Sequence, residues 1–527
     1  MTYQRPKPVI LVVFDGWGVA KPSKANAISL AQTPNFTMMT ENYPTYLLQA
    51  AGQAVGLSWG EMGNSEVGHM SLGAGRILYQ NLPKINLAIS NGTFFENKMF
   101  KKCFSEAIKN NSTLHLLGLI SNGGIHSYNE HLYALLEMCK NYKLTKVVVH
   151  AILDGRDTPY NSGYKFIEEL DKKIKKIGIG KIVTLSGRFY TMDRDSHWDR
   201  TQIAYNAIVE GQSNQYFSDP LMAIQESYKK NVFDEEFIPQ VLQTNEFKYN
   251  GINNNDYIIF FNFRGDRARQ ITKSIVFPTF DKFERQRGYL RNLCFITMTE
   301  YEKDLPVEIA FPKEEIKEPL AKVISDAGLT QLHIAETEKY AHVTYFFNGG
   351  KEDSFKNEER VLVPSPSVSS YDQKPEMSAR DITDRVINRL NKHQFDFVVI
   401  NYASPDMVGH TGNLQATVKA IEFVDECLGK LYELVISYNG VLLLTADHGN
   451  AETMFNLQTG SIDKEHTNSP VPFIIVGNQF KGKTTFSGGV QDLSTITPAG
   501  VLADVAPTIL KIMGLKIPKE MKGRSLI

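Results

Sequence analysis

The segment KPVILVVFDGWG (residues 7–18) determines how the rest of the chain is interpreted. Its central residues, PVILVVF (8–14), form a continuous apolar run, which is typical of a strand buried on both faces of a parallel sheet. Asp15 follows at once, at the carboxyl end of the strand, where open α/β sheets collect their ligands. The run is too short for a signal peptide and lacks a cleavage site of small residues. We therefore expect a first α/β strand with Asp15 at a functional site.

The same pattern recurs along the chain, with segments of helical periodicity between the apolar runs. Further strands are predicted at TLHLLGLI (113–120), KVVVHAIL (146–153), KIVTLS (181–186), YIIFFNF (257–263), CFITM (294–298), FDFVVIN (395–401), GVLLLTA (440–446) and PFIIVG (472–477). One helix, predicted over residues 414–435, places Val418, Ile421, Leu428, Leu431 and Val435 on a single stripe. This alternation predicts the α/β class, with mainly parallel sheets flanked by helices.

Composition restricts the possible classes of function. A chain of 527 residues can form at least two domains, and a formal net charge of −1 argues against a nucleic-acid-binding protein. The four cysteines lie far apart without a C-x-x-C motif, which indicates buried thiols in a reducing compartment rather than a disulfide scaffold. No apolar run is long enough to cross a bilayer. We expect a cytoplasmic protein that binds neither membranes nor nucleic acid.

Aspartate and histidine lie at the ends of four predicted strands: they follow three of these strands and precede the fourth. These residues are Asp15, Asp406, His410, Asp447, His448 and His466. Their oxygen and nitrogen atoms suit Mn²⁺, Zn²⁺ and related ions, and the absence of cysteine weakens a structural zinc interpretation. Each residue alone could be a helix cap, a turn residue or a surface histidine. As a set they predict a two-metal site, which joins the two ends of the chain in one domain.

Arginine follows the predicted strands in the middle of the chain. The residues are Arg156, Arg188, Arg194, Arg264 and Arg267, accompanied by His126 and Asp157. Guanidinium groups bind phosphate and carboxylate in bidentate fashion, so the set predicts a site for a small anion. Local salt bridges in GRD, DRD and GDR are the alternative for each arginine taken singly. Asp157 is a candidate general base, or else a further salt-bridge partner.

The segment GEMGNSEVGHMSLGAGR (60–76) nearly matches a phosphate-binding loop. Gly63 and Gly68 have the spacing of the P-loop, but His69 and Met70 replace the required Lys and Ser/Thr. Ser65 also lies outside a G-x-S-x-G nucleophile elbow. The segment could be a nucleotide loop, could carry a serine nucleophile with a distant activator, or could be a flexible turn.

Taken together, the chain resembles the cofactor-independent (2,3-bisphosphoglycerate-independent) phosphoglycerate mutases of the alkaline phosphatase superfamily. The matching segments are FDGWG, GNSEVGHM with GAGR, HAILDGRD, GRFYTMDRD, FNFRGDRARQ, AETEKY, NYASPDMVGHTG, TADHGNAE and EHTNSPVP. The resemblance implies an alkaline-phosphatase-like metal-binding domain, residues 1–77 and 313–527, split by an inserted α/β phosphotransferase domain, residues 78–312. The family pattern leads us to expect Pro at position 341 and Asn at position 404, whereas this chain has Ala341 and Ser404.

The resemblance also implies roles for individual residues. One metal ion would be held by Asp15, Ser65, Asp447 and His448, and the other by Asp406, His410 and His466. Substrate would be bound by His126, Arg156, Asp157, Arg188, Arg194, Arg264, Arg267 and Lys339. Ser65 would carry a transient phosphoryl group, with Asp157 and Lys339 as further catalytic residues.

The implied reaction interconverts 3-phosphoglycerate and 2-phosphoglycerate, without 2,3-bisphosphoglycerate, in glycolysis and gluconeogenesis. The family leads us to expect a monomer with two divalent ions, Mn²⁺ being favoured and Mg²⁺, Co²⁺ or Zn²⁺ compatible. The alternatives are a plain phosphomonoesterase or phosphopentomutase of the same superfamily, and a non-catalytic module that binds metal and anions.

Overall fold

Two eight-stranded sheets, each flanked by helices, make up the computed structural model, which describes residues 5–245, 247–393, 395–485 and 492–527. The strands are β1 (Val9–Phe14), β2 (Thr45–Gln49), β3 (Leu114–Ile120), β4 (Val147–Leu153), β5 (Ile182–Gly187), β6 (Tyr216–Phe217), β7 (Gln240–Leu242), β8 (Tyr257–Phe260), β9 (Cys294–Thr297), β10 (Glu308–Ile309), β11 (Gln331–Glu336), β12 (Glu358–Val363), β13 (Phe397–Tyr402), β14 (Val441–Thr445), β15 (Val471–Val476) and β16 (Gly500–Val501). The predicted α/β class is confirmed.

Helices connect most of these strands. They are α1 (Ala27–Leu30), α2 (Pro34–Asn42), α3 (Ser65–Ala74), α4 (Asn81–Ser90), α5 (Lys98–Lys109), α6 (Asn129–Asn141), α7 (Gly163–Ile177), α8 (Arg188–Thr191), α9 (Trp198–Tyr205), α10 (Pro220–Lys229), α11 (Arg269–Val276), α12 (Leu320–Asp326), α13 (Ala379–Lys392), α14 (Ser404–Gly409), α15 (Leu414–Ser437) and α16 (Val505–Ile512). The predicted stripe of α15 is buried except for Val418, which packs against the core at its edge. In the described part of the chain, no helix is both long and apolar enough to span a membrane.

The chain divides into two units. The first, here called the split unit, comprises Met1–Gln80 and Glu315–Ile527, and the second, the inserted unit, comprises Asn81–Glu314. The boundaries expected from the sequence, after residues 77 and 312, lie three and two residues before the observed ones. All four cysteines are free thiols; three are buried and Cys294 is partly exposed.

The sheet of the split unit has the order β12-β11-β13-β1-β14-β15-β2-β16. The strands from β12 to β14 are parallel, whereas β15 runs antiparallel to both β14 and β2. Every residue of β1 is buried, because β1 lies in the middle of the sheet with helices over both faces. Its register pairs Phe14 with Tyr402 and Val13 with Thr445, so β1, β13 and β14 end at the same edge.

The inserted unit has a sheet of the order β10-β9-β8-β3-β4-β5-β7-β6. Its strands are parallel from β10 to β5, and β7 runs antiparallel to β5. Strands β3 and β4 are buried along their whole length, and their sequences are apolar apart from His115 and His150. The carboxyl ends of β3, β4, β5 and β8 therefore form the edge at which the predicted arginines follow the strands.

Candidate active site

Three aspartates gather at the common edge of β1, β13 and β14 in the split unit. Asp15 follows β1, Asp406 lies in the first turn of α14 after β13, and Asp447 follows β14. All three are at most 1% exposed. Gly16 makes this approach possible: it has a φ of +72°, and a Cβ there would lie 2.8 Å from the Asp406 Cβ. Parallel pairing of the central strands thus brings together carboxylates that are far apart in the sequence.

Ser65 begins helix α3 and points into this cluster. Its Oγ donates a hydrogen bond to Asp15 Oδ1 (3.1 Å) and lies 2.9 Å from His448 Nε2. The preceding Asn64 acts as the helix cap, because its side chain accepts a hydrogen bond from the Val67 N–H. The glycine-rich segment is therefore neither a nucleotide loop nor a flexible turn, but the start of a helix that presents a buried hydroxyl.

Gly68 lets α3 approach the strand that carries Asp447. A Cβ at position 68 would lie 2.6 Å from the Asp447 carbonyl oxygen and 2.7 Å from its Cβ. Any side chain there would push the helix away from the end of β14. The second glycine of the near-miss phosphate loop thus has a packing role, which keeps Ser65 next to the aspartates.

The Lys339 ammonium lies at the centre of the cluster. Its Nζ donates hydrogen bonds to Asp15 Oδ1, Asp406 Oδ2 and Ser65 Oγ, each at 2.7 Å. Burial alone would lower the pKa of this lysine, but the surrounding aspartates outweigh burial and hold the pKa above its ordinary value. Lys339 therefore balances much of the negative charge of the surrounding aspartates.

Two histidines direct their Nε2 atoms towards Asp406. His410 Nδ1 faces the Lys464 carbonyl oxygen (2.6 Å) and His466 Nδ1 faces that of Gly63 (2.8 Å), so both Nδ1 atoms carry hydrogen. The two Nε2 atoms lie 3.1 Å from each other and 3.3 and 3.4 Å from Asp406 Oδ1. The hydrogen bond to Asp406 raises the pKa of His410, so a proton is favoured there. A metal cation fits the same position.

The remaining predicted ligands lie beside this group. Asp447 Oδ1 accepts hydrogen bonds from two backbone N–H groups, whereas its buried Oδ2 lies 3.2 Å from His69 Nδ1 and 3.6 Å from His448 Nε2. The His448 ring stacks on that of His466, with centroids 3.9 Å apart. A carboxylate oxygen beside imidazole nitrogens is a donor set that suits a divalent cation.

Ligand atoms in the described residues fall into two groups by distance alone. One contains Asp15, His69 and Asp447, and the other contains Asp406, His448 and His466; within each, the atoms lie within 4.8 Å of one another. This division differs from the ligand sets implied by the family resemblance, which pair His448 with Asp15 and omit His69. Two groups of candidate ligand atoms are thus present among the described residues, and how the ligands are distributed between two ions stays a prediction.

His69 and Asn401 belong to the cluster but escaped prediction. Asn401 Nδ2 donates to Asp15 Oδ2 (2.7 Å) and to His69 Nε2 (3.0 Å), while His69 Nδ1 donates to the Ser65 carbonyl oxygen (2.9 Å). A signal existed for His69, because a residue four positions after Ser65 lies on the same face of the helix. Asn401 is the penultimate residue of β13, whose other residues are mostly apolar, and nothing in its local sequence distinguishes it.

The inserted unit places Arg188 at the centre of the second predicted cluster. Its guanidinium is 3% exposed and donates to Asp154 Oδ1 (2.5 Å) and Asp157 Oδ2 (2.7 Å). Burial opposes the charge, but these two carboxylates raise the pKa of Arg188 above its usual value. Asp154 also accepts from the N–H groups of residues 156 and 157, so it holds the loop after β4 in place.

The other predicted arginines are more exposed and make single contacts with carboxylates or carbonyl groups. Arg156 pairs with Glu235 (2.7 Å), while Arg194 and Arg264 both contact Asp266 at 3.1 Å. Arg267 NH1 donates to the carbonyl of Met192 at 3.4 Å. Burial and the nearby charges of Arg194, Arg188 and Arg156 lower the pKa of Arg267. That mutual repulsion indicates a local excess of positive charge.

His126 completes the cluster. It is buried, and burial together with Arg188 lowers its pKa to about 4, so the ring is neutral near pH 7. Its Nδ1 is 3.7 Å from Asp266 Oδ1 and has no hydrogen-bond partner in the described part of the chain. The alternative of salt bridges within GRD, DRD and GDR is not what the described contacts show. Arg156 pairs with Glu235 and Arg194 with Asp266, both distant in the sequence, and only the Arg264–Asp266 pair is local.

The two departures from the family pattern lie outside these contacts. Ala341 is exposed and precedes a π-helical turn (His342–Phe346), whereas Ser404 is buried at the start of α14. Neither provides a side-chain hydrogen bond to a predicted site residue among those described.

Comparison with known proteins gives matches along the whole chain. The metalloenzyme superfamily matches residues 7–517. A 2,3-bisphosphoglycerate-independent phosphoglycerate mutase of Clostridium beijerinckii is 49% identical over 522 residues, and one of Acetivibrio thermocellus is 47% identical over 524; each alignment covers 99% of both chains. The crystal structure of Leishmania mexicana phosphoglycerate mutase at low cobalt concentration is 32% identical, with a TM-score of 0.52, covering 99% of this chain and 98% of that one.

Proposed function

Because the chain belongs to the 2,3-bisphosphoglycerate-independent phosphoglycerate mutases of the metalloenzyme superfamily, we propose that Ser65 carries the phosphoryl group during turnover at a two-metal site. Family membership makes the chain an isomerase that acts without 2,3-bisphosphoglycerate. The observation that carries the proposal is the environment of the Ser65 hydroxyl. It is buried and lies within 3.1 Å of Asp15, His448 and Lys339 side-chain atoms.

We assign the metal ligands as the family resemblance implies. Asp406, His410 and His466 would hold one ion, and Asp15, Ser65, Asp447 and His448 the other. Divalent ions bound there would lower the pKa of the serine hydroxyl and neutralise charge on the phosphoryl oxygens. The converging Nε2 atoms of His410 and His466, and the position of Asp447 Oδ2 3.6 Å from His448 Nε2, support this assignment.

The first half-reaction transfers the phosphoryl group to Ser65. A bond forms between Ser65 Oγ and phosphorus while the bond from phosphorus to the glycerate oxygen breaks. The proton that Ser65 loses is balanced by the proton that the released glycerate oxygen gains. Lys339 donates a hydrogen bond to Ser65 Oγ, and its positive charge stabilises the negative charge on the transferring phosphoryl group.

The second half-reaction returns the phosphoryl group to the other glycerate hydroxyl. Asp157 acts as the proton carrier for the glycerate hydroxyls, and its Oδ2 accepts a hydrogen bond from Arg188 (2.7 Å), which holds the carboxylate in place. The phosphate and carboxylate of the substrate are bound by Arg156, Arg188, Arg194, Arg264 and Arg267 together with His126. Guanidinium groups suit both anions because they donate two parallel hydrogen bonds.

The proposal extends to properties that rest on the family resemblance. These are Mn²⁺ as the bound ion, a monomeric state, and a cytoplasmic role in glycolysis and gluconeogenesis. Oxygen and nitrogen ligands also accommodate Mg²⁺, Co²⁺ and Zn²⁺. Each ion can be added back to metal-stripped protein, and the activity with 3-phosphoglycerate, coupled to enolase, will rank the ions. A phosphomonoesterase would instead release inorganic phosphate in this assay.

Acid quenching during turnover tests the phosphoserine. We expect intact-mass analysis of wild-type protein with 3-phosphoglycerate and Mn²⁺ to show one added phosphoryl group, which peptide mapping assigns to Ser65. Ser65→Ala should abolish both the adduct and the mutase reaction, whereas Ser71→Ala, in the same helix, should retain both. An adduct that persists in Ser65→Ala would refute the assignment.

A further inference from the structure

A buried carboxylate outside the assigned ligands joins the segments that carry them. Glu452 is 2% exposed. Its Oε2 accepts hydrogen bonds from the backbone N–H groups of Gly18 (3.1 Å) and Asn450 (2.9 Å). Its Oε1 accepts one from the hydroxyl of Thr467. Both oxygens therefore accept hydrogen bonds. The donors belong to the segment after β1, to the loop that carries Glu452 itself, and to the segment before β15.

Each partner of Glu452 lies next to a proposed ligand in the sequence. Gly18 is three residues after Asp15, and Thr467 directly follows His466. Asn450 is two residues after His448, and its side-chain Nδ2 donates to Asp406 Oδ1 at 3.0 Å. One carboxylate thus connects segments that contribute ligands to both proposed metal positions.

The surrounding backbone leaves the carboxylate little freedom. A Cβ on Gly18 would overlap the Glu452 carboxylate, and a Cβ on Gly449 would overlap both that group and the Thr467 hydroxyl. Two further backbone bonds, from the N–H groups of residues 450 and 451 to the Gly16 carbonyl oxygen (3.0 Å each), hold the same segments together. Residues 15–18, 447–452 and 466–467 therefore cannot separate without breaking several buried hydrogen bonds.

We propose that Glu452 is a positioning residue that sets the spacing of the metal-ligand segments. This inference rests on the proposed two-metal site. A divalent cation binds tightly when its ligands are held at the required distances before it arrives, and residues that orient ligands contribute strongly to affinity. The position of the carboxylate matters here, because its hydrogen bonds determine where the backbone of each segment lies.

Two conservative substitutions separate position from charge. Glu452→Asp keeps the charge but withdraws the carboxylate by one methylene, so it cannot reach Gly18, Asn450 and Thr467 together. Glu452→Gln keeps the length, and its oxygen can accept from both N–H groups while its amide donates to the Thr467 hydroxyl. Glu433→Gln, on the exposed face of α15, is the control for the loss of one charge.

Binding of Mn²⁺ to metal-stripped protein, measured by the electron paramagnetic resonance signal of the free ion, provides the readout without substrate. We expect Glu452→Asp to raise the Kd for Mn²⁺ by about 10- to 100-fold, the usual effect of losing a group that orients ligands. Glu452→Gln and Glu433→Gln should stay near the wild-type Kd. Circular dichroism of the metal-stripped variants checks that each is folded.

Two results would overturn the proposal. The first is a Kd for folded Glu452→Asp that equals the wild-type value, and the second is a larger rise for Glu452→Gln than for Glu452→Asp, which would assign the effect to charge. Failure of wild-type protein to bind two Mn²⁺ ions would instead contradict the two-metal site itself, so the two hypotheses fail by different observations.

Discussion

Replacing Lys339 by methionine should make folding of the split unit depend on metal. Methionine fills a similar volume but leaves Asp15 and Asp406 without the cation that contacts each at 2.7 Å. Removing one partner of a buried ion pair costs about 3–5 kcal/mol. At about 1.4 kcal/mol for each factor of ten, unfolding of this unit becomes roughly 10²- to 4 × 10³-fold more frequent. A bound divalent ion can replace the missing charge and restore much of this stability.

Hydrogen exchange followed by mass spectrometry measures this effect, because peptides from β1 and β13 report opening of the split unit. In the presence of a chelator, we expect Lys339→Met to lower the stability of the split unit. Addition of Mn²⁺ should restore most of that stability. Mn²⁺ at one hundred times its Kd adds about 2.7 kcal/mol for each site. Lys322→Met removes a half-exposed ion pair with Asp326 and should cost at most about 1 kcal/mol. Equal exchange in Lys339→Met and wild type under chelation would refute the buried-lysine network.

Two further predictions concern the inserted unit. Arg188→Met should destabilise it by about 3–5 kcal/mol, because two carboxylates lose a buried partner, whereas Arg156→Met should cost at most about 1 kcal/mol in urea unfolding; equal costs would contradict the difference in burial. Stability of the unit should also fall as the pH drops below about 6.5, since burial lowers the pKa of His126 to about 4 and of His131 to about 3, so the unfolded chain takes up these protons first. His131→Gln should weaken this pH dependence, which unfolding at pH 7 and pH 5 will measure.

The strands that the sequence predicted are those buried on both faces. β1 is a continuous apolar run, β3, β4 and β14 each contain a single polar residue, and the starts of all four agree with prediction to within one residue. β11 escaped prediction because half of its residues, among them Gln331 and His333, are polar although buried. The side chains of Gln331 and His333 are hydrogen-bonded to the carbonyl groups of Ala321 and Val343, ten residues away. Hydrogen bonds from elsewhere in the chain, which no local pattern encodes, made this strand possible.

Edge strands escaped prediction for a different reason. β12 has only two buried residues, Val361 and Val363, and the remaining positions are polar or partly exposed. β6, β10 and β16 have two residues each, too few for any periodicity. Their pairing depends on the neighbouring strand rather than on their own sequence, so only the assembled sheet reveals them.

The candidate site was predictable where chemistry coincides with the end of a strand. Asp15, Asp406 and Asp447 satisfy that condition, and a parallel sheet brings such residues together. Lys339 came from the family resemblance alone, because its contacts with Asp15 and Asp406 join residues 324 and 67 positions apart. Glu452 lies five residues after Asp447, in a loop whose path depends on Gly18 and Thr467, so its role follows only from the three-dimensional contacts.

Opposite charge imbalances distinguish the two clusters, although the chain as a whole has a net charge of only −1. In the split unit, three buried aspartates surround a single lysine, which leaves negative charge for cations to balance. In the inserted unit, five arginines face four carboxylates, and the repulsion that lowers the pKa of Arg267 indicates room for an anion. In each cluster one buried cation contacts two carboxylates and so stabilises the fold around it. This cation is Lys339 in the split unit and Arg188 in the inserted unit. Because both residues hold several carboxylates at once, their loss should affect stability before it affects the choice of substrate.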